Sequence, residues 1–224
     1  MDVSVVIPTY NEAENIEPLV DRLSDQLQDL YFEIIFVDDD SPDGTADLIE
    51  DMQEENDFLR LIRREGKKGI GSAYKEGFSA TKGDIVVQMD ADLSHQPEDL
   101  LKLIEALESG AEVAVGSRYI EEGERNDPIH RRIFPIIGSY LYRFGLGSPV
   151  KDFTSGFKAY RAEVVEDLES DMPDGFCFQA ATLVDVMEKD YEIVEVPIEF
   201  QERNAGNPKY DQMDLVKNTW FFSK

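Results

Sequence analysis

IVVQMDADLSHQPED, residues 85–99, decides how the rest of the chain is read. Ile85-Val86-Val87-Gln88-Met89 is a short apolar run of strand length that stops on Asp90-Ala91-Asp92. In an extended segment residues i and i+2 project to the same side, so both carboxylates are placed toward one site. Two carboxylates that close repel each other unless a proton or a cation sits between them. A hard divalent ion, held by one or two carboxylates and by a substrate diphosphate, meets that need. The competing reading is a solvated strand end ahead of a helix whose dipole favours anions. The buried run in front of the pair tips the balance toward a site at a buried strand edge. Gln96 before Pro97 then starts a helix, with proline where its missing N–H is tolerated.

The same order of events recurs upstream and downstream. Val3 to Ile7, Phe32 to Val37, Leu59 to Ile62 and Val113 to Val115 join Ile85 to Met89 as buried strands, with helix-period segments at 12–28, 42–55, 70–81 and 97–109. This alternation predicts an α/β fold, a Rossmann-like, mostly parallel sheet flanked by helices. Asn11 with Glu14 reads as a capping box, Ser41 before Pro42 as a helix start, and Gly110 as a helix stop. Ligands of open α/β sheets bind beyond the carboxyl ends of the strands. Those ends are Pro8-Thr9-Tyr10-Asn11-Glu12, Asp38-Asp39-Asp40-Ser41 and Asp90-Ala91-Asp92, three carboxylate-bearing edges on one rim. Neither G-x-G-x-x-G after the first strand nor G-x-x-x-x-G-K-S/T occurs, which sets aside ordinary dinucleotide and P-loop sites. Asp38 to Asp40 also suit turn and cap chemistry before Ser41-Pro42-Asp43-Gly44-Thr45, while one of the three can still accept from a nucleobase. Gly66 to Gly71 sets small residues and cations ahead of a helix, which suits backbone approach to a phosphate. For His95 an exposed or capping role is preferred to a catalytic one.

The chain of 224 residues carries 22 Lys and Arg against 48 Asp and Glu, a formal charge of −26. Such a field repels polyphosphate and argues against nucleic-acid binding. The acidic excess is spread along the chain, either as a solubilising surface or as adaptation to a saline cytoplasm. Hydrophobic residues at 42% exclude wholesale disorder. Cys177 is the only cysteine, so no intrachain disulfide forms. Met1-Asp2-Val3-Ser4 lacks the basic start of a signal peptide, and no run approaches the ~18 apolar residues of a spanning helix. The expectation is a cytoplasmic protein, soluble or peripheral.

Beyond residue 118 the rhythm changes. Glycines, prolines and a local cluster of arginines occupy 119–160, followed by a helix near 176–189, a strand from 193 to 200 and an amphipathic stretch from 210. We read residues 1–224 as one domain with a nucleotide-type half (1–118) and an acceptor-type half (119–224). Ile129 to Gly147 sets Arg131, Arg132 and Arg143 among apolar and aromatic residues. It reads either as an interfacial helix pair on anionic lipid or as core packing in which arginines satisfy buried acids.

VIPTYNE (6–12), VDDDSPDGT (37–45), GKKGIGSAYKEG (66–77), MDADLSHQPED (89–99) and GSRY (116–119) together resemble glycosyltransferase family 2. DFTSGFKAYR (152–161) and FQERNAGNPKY (200–210) extend the resemblance toward its polyprenyl-phosphate, dolichol-phosphate mannose synthase group. The resemblance implies a GT-A fold binding a nucleotide-sugar and Mg²⁺ or Mn²⁺. By motif position Pro8, Tyr10, Glu12, Val37 and Asp39 would hold the nucleoside, and Asp90, Ala91 and Asp92 would lie along the diphosphate. Asp92 would ligate the metal directly, with Asp90 and Ser94 beside it, although Ser94 stands where some relatives place a glutamine. Arg118, Arg203 and Lys209 would meet phosphate or sugar groups, and Arg131 and Arg132 the acceptor phosphate. Pro208 and Asp127 are further departures from the pattern. The implied reaction moves a hexose, mannose from GDP-mannose, with inversion to dolichyl or polyprenyl phosphate at the cytoplasmic face of the membrane. An ionised lipid phosphate needs positioning and charge neutralisation more than proton removal, so a dedicated base is dispensable. The alternatives are another donor such as UDP-glucose, a non-lipid acceptor, or a non-catalytic binding protein that keeps the fold.

Overall fold

The computed structural model describes residues 2–125 and 148–201. Strand β1 (Asp2–Thr9) is buried on both faces, as its near-continuous apolar sequence requires. Val3, Val5 and Ile7 enter one core with Ile16, Leu19 and Leu23 of α1 (Ala13–Leu27) and Leu103 of α4 (Leu100–Glu108). Val6 enters the other, with Tyr74 and Phe78 of α3 (Ile70–Phe78). The next strand, β2 (Tyr31–Asp38), divides in the same way: Ile34 and Phe36 on the first face, Ile35 and Val37 on the second.

With β3 (Leu59–Arg63), β4 (Ile85–Gln88), β5 (Val113–Ser117), β7 (Lys158–Arg161) and β8 (Ile193–Pro197), these strands make one seven-stranded sheet in the order β3-β2-β1-β4-β7-β5-β8. The pairings among β1, β2, β3 and β4, and that of β5 with β8, are parallel, whereas β7 runs antiparallel to both β4 and β5. A separate two-stranded ribbon joins β6 (Glu124–Arg125) to β9 (Glu199–Phe200). Helices α2 (Thr45–Gln53), α5 (Ala162–Asp167) and α6 (Phe178–Glu188) complete the described elements. No helix among the described residues is long and apolar enough to cross a membrane.

The helix starts differ from the sequence expectation in an informative way. Asn11 takes a left-handed φ of 56° and Glu12 is the cap position of α1, without a side-chain cap bond. Ser41-Pro42 likewise does not begin α2, whose cap position is Gly44 at φ 87°. Asp43 serves both helices instead. Its carboxylate accepts the Ala13 N–H at 3.1 Å, and the Thr45 N–H and hydroxyl at 3.1 and 2.6 Å. One carboxylate thus satisfies orphan donors at two helix N-termini and ties the loops after β1 and β2 together. Pro97–Asp99 forms a 3₁₀ turn before α4, and Gly110 follows it at φ 120°, as the sequence indicates.

Candidate active site

The strand order reverses between β1 and β4, because the chain leaves β1 toward β2 and β3 and returns on the other side. In open α/β sheets a ligand binds at such a switch point, beyond the carboxyl ends of the strands. Pro8 and Val37 are register partners on β1 and β2, as are Thr9 and Asp38. Tyr10 lies partly exposed just beyond, with the Lys67 ammonium 4.4 Å over its ring. Glu12 is buried, accepts from Asn15 Nδ2 at 2.7 Å, and donates its own N–H to the Thr45 hydroxyl oxygen at 3.0 Å.

The three aspartates at the end of β2 divide the work. Asp38 is a turn builder: it accepts Thr9 Oγ1 at 2.9 Å, and the Ser41 N–H and hydroxyl at 2.9 and 2.6 Å. Asp39 is buried and turns the other way. Its Oδ2 accepts the main-chain N–H groups of Lys68 and Gly69 at 3.2 and 3.3 Å, and its Oδ1 lies 2.9 Å from Arg64 Nη1. Burial raises the Asp39 carboxyl above the ordinary aspartate value, against the opposing pull of Arg64 and the two N–H groups. These amides belong to the loop expected to receive a phosphate. The structure engages them otherwise, for Lys68 and Gly69 grip Asp39 while Gly71 and Ser72 donate to the Asp174 carbonyl at 2.7 and 3.2 Å. The approach is so close that a side chain on Gly69 or Gly71 would meet the 173–174 backbone at 2.5 Å or less.

β4 ends at Gln88, and Asp90 and Asp92 follow in the turn beyond it. Asp90 accepts the Tyr74 hydroxyl at 3.1 Å and is partly exposed. Gly156 lies against it, where an added Cβ would fall 2.8 Å from Oδ2. Asp92 is buried beside Ala91, and Ser94 donates both its N–H (3.1 Å) and its hydroxyl (2.5 Å) to Asp92 Oδ1. Ser94 therefore orients Asp92. Among the described residues no group of three or more His, Cys, Asp or Glu gathers as a metal cluster. A two-carboxylate edge fits a hard cation completed by a diphosphate. His95 is fully buried rather than exposed, stacked on Phe157 at 5.2 Å and edge-on to Phe200 at 5.4 Å. Burial lowers its pKa although Asp90 and Asp92 pull the other way. It caps no helix, and its ring mates the loop after β4 to β9, whose neighbour Gln201 donates its N–H to Ser94 O at 3.0 Å.

Arg118 is held rather than loose. Its Nε and Nη2 fork onto the fully buried Asp152 at 2.7 Å each, Nη2 also reaches Thr154 Oγ1 at 2.8 Å, and its Cζ lies 4.9 Å over the Phe200 ring. Sequence reasoning passed over Asp152 and Arg64, whose roles depend on burial that charged residues do not announce. It also passed over Lys158, which is fully buried on β7 and donates to Gln179 O at 2.7 Å and Thr182 Oγ1 at 3.2 Å. Burial pushes its ammonium down to about 7. Arg131, Arg132, Arg143, Arg203, Lys209, Asp127, Pro208 and the 129–147 stretch lie outside the described residues.

A mostly parallel sheet with one inserted antiparallel strand, carrying a carboxylate pair beside its switch point, is the arrangement expected of the GT-A fold. The fold is similar to that of glucosyl-3-phosphoglycerate synthase from Mycobacterium tuberculosis, crystallised with Mn²⁺, UDP and glucosyl-3-phosphoglycerate. The TM-score is 0.71 at 24% identity, over 96% of this chain and 75% of that one. The model of glycosyl transferase family 2 matches residues 4–169, and the chain belongs to that family. It is 42% identical over 212 residues to dolichol-phosphate mannosyltransferase of Pyrococcus furiosus, covering 93% of this chain and 59% of that protein. It is 39% identical over 212 residues to polyprenol monophosphomannose synthase of Mycolicibacterium smegmatis, covering 92% and 79%. The chain thus spans less than two thirds of the Pyrococcus relative's length.

Proposed function

We propose that the protein transfers mannose from GDP-mannose to a polyprenyl phosphate, with inversion and with a divalent cation, at the cytoplasmic face of a membrane. The observation that carries this reading is the Asp90-Ala91-Asp92 turn beside the switch point, its carboxylates preset by Tyr74 and Ser94. The names of the Pyrococcus and Mycolicibacterium relatives support the sugar and the lipid class. In this reading Pro8, Tyr10, Glu12, Val37 and Asp39 hold the nucleoside. Asp90 and Asp92 would hold Mg²⁺ or Mn²⁺, with Ser94 as the second layer that orients Asp92. When bound, the cation supplies charge neutralisation at the departing diphosphate.

The acceptor phosphate oxygen bonds to the anomeric carbon as the bond from that carbon to the diphosphate oxygen breaks, releasing GDP. Arg118, kept in place by Asp152, together with Arg203 and Lys209 offsets the charge that develops on the leaving group. Arg131 and Arg132 gather the lipid phosphate, and the 129–147 stretch rests on the anionic surface. Two units make up the working chain in this scheme, residues 1–118 for the donor and 119–224 for the acceptor.

The test is incubation with GDP-mannose, UDP-glucose and other labelled donors, with and without polyprenyl phosphate and Mn²⁺. GDP release and a mannosyl lipid are expected only when lipid phosphate and metal are both supplied. Transfer to a water-soluble acceptor, or a preference for a UDP-sugar, would overturn the reading.

A further inference from the structure

Lys158, the first residue of β7, is fully buried and is used by no step of the proposed transfer. Its ammonium donates to Gln179 O at 2.7 Å, Gln179 Oε1 at 3.2 Å and Thr182 Oγ1 at 3.2 Å. All three acceptors are neutral, and all belong to the start of α6. No carboxylate among the described residues forms an ion pair with it. A buried charge without an ionic partner is expensive to keep, and an apolar side chain of similar length would fill the space at less cost.

Two chains of contact run from this ammonium to the Asp90 carboxylate. Gln179 Oε1, held by Lys158, also accepts from Gln88 Nε2, which reaches on to Gly156 O at 3.3 Å. Gly156 in turn lies against Asp90 Oδ2. On the other side Phe178, the residue before Gln179, stacks on Tyr74 at 5.7 Å, and the Tyr74 hydroxyl donates to Asp90 Oδ1 at 3.1 Å. Lys158 and Gln88 are register partners of antiparallel β7 and β4, so the ammonium lies where the end of β4, the start of α6 and the loop at Gly156 meet. The Asp90 side chain itself is 28% exposed and open to a ligand.

We propose that Lys158 is a positioning residue for the cation edge, its ammonium drawing the start of α6 onto the end of β4 and so holding the Asp90 carboxylate in one place for Mg²⁺ or Mn²⁺. The inference rests on the reading of Asp90 and Asp92 as the holders of that cation. Lysine suits the task because three donors on one atom engage a main-chain carbonyl, an amide oxygen and a hydroxyl at once. Groups one layer behind the ligands commonly govern metal affinity in this way. Position and field have opposite signs here. A positive charge near the edge repels a divalent cation, so losing the charge alone would tighten metal binding, whereas losing the clamp loosens it.

The experiment is titration calorimetry with Mn²⁺ alone, GDP in Mn²⁺ buffer and GDP in EDTA as probes, on the wild type, Lys158→Met, Gln179→Met and Asp90→Asn. Lys158→Met should bind Mn²⁺, and GDP in its presence, about tenfold or more weakly, the usual loss when a group behind a metal ligand is removed. GDP in EDTA should bind as it does to the wild type. Gln179→Met cuts the clamp at its other end and should lose metal affinity in the same pattern. Metal binding equal to or tighter than wild type in folded Lys158→Met, or an equal loss of GDP with and without metal, would each overturn the proposal. Where Lys158→Met does not fold, Gln179→Met decides, and wild-type Mn²⁺ affinity there is equally fatal. Should Asp90→Asn bind Mn²⁺ as the wild type does, the cation reading of Asp90 falls and the proposal with it. A weakened Asp90→Asn beside an unchanged Lys158→Met removes the positioning role alone.

Discussion

Asp152 lies wholly inside the protein, and its charge survives there because the Arg118 guanidinium forks onto it. Burial alone would raise its pKa; the Arg118 charge, the Arg118 hydrogen bonds and Thr154 outweigh burial and hold it below the ordinary value of 3.8. A carboxyl depressed on folding stabilises the protein above its unfolded pKa and loses that contribution as pH falls through the folded value. Asp152→Asn should therefore be destabilised by about 3–5 kcal/mol near neutral pH, the usual cost of leaving a buried partner charge unpaired. In denaturant titrations the gap to the wild type should close below about pH 3.8, as the wild type itself protonates. A gap that persists unchanged into acid would show that Arg118 is held by packing instead. At Asp92 the expectation is functional. Asp92→Asn keeps shape and the bond from Ser94 while removing one charge from the proposed cation edge, so sugar transfer at saturating Mn²⁺ should fall by roughly two orders of magnitude or more with the melting temperature nearly unchanged. Near-normal turnover would take Asp92 out of the metal role.

At the level of elements, what the sequence discloses is what hydrophobic period and punctuation can encode. β1, β2, β4 and β5 were legible because their apolar runs are buried on both faces, and α4 because Pro97 and Gly110 bracket it. β7 was not legible as a strand. Lys158 at its start signals exposure, yet the side chain is fully buried among Gln179, Thr182 and, nearby, Gln88 and Tyr160. Capping was misplaced for a related reason, since Asp43 serves α1 from another loop and local spacing cannot report a bond between residues thirty apart. Candidate site residues in consecutive motifs, such as Asp39 and Asp92, are proposed from motif resemblance, whereas the ion pairs of Arg64 and Asp152 emerge only from three-dimensional burial. The α3–β1 contact offers a direct test of element packing. Gly77 sits so close to β1 that an added Cβ would stand 2.3 Å from Val6 Cγ1 and 3.1 Å from Val37 Cγ2. Gly77→Ala should lower stability by about 1–3 kcal/mol through overpacking, despite alanine's better helix propensity. A melting temperature at or above wild type would mean that α3 can shift outward freely.

For the molecule as a whole, 48 acidic against 22 basic residues leave a net charge of −26, and self-repulsion of that size depends on ionic strength. The screening length shrinks from about 10 Å at 0.1 M salt to about 3 Å at 1 M. If the carboxylate excess is an adaptation to saline surroundings, the melting temperature should climb steadily from dilute buffer into molar KCl; a flat or falling curve would leave only the solubilising role. The order of the central sheet bears on how such a chain is made. β5 has no bond to β4: its sheet partners are β7 and β8, and β7 is also the second partner of β4. Synthesis delivers the N-terminal strands first, so a nascent chain that has emerged only as far as Arg118 carries β4 with one bare edge and β5 with two. Bare edges template pairing with other chains. Ribosome-bound intermediates should therefore stay sticky and dependent on chaperones until Lys158–Arg161 has cleared the exit tunnel and zipped the two parts of the sheet together.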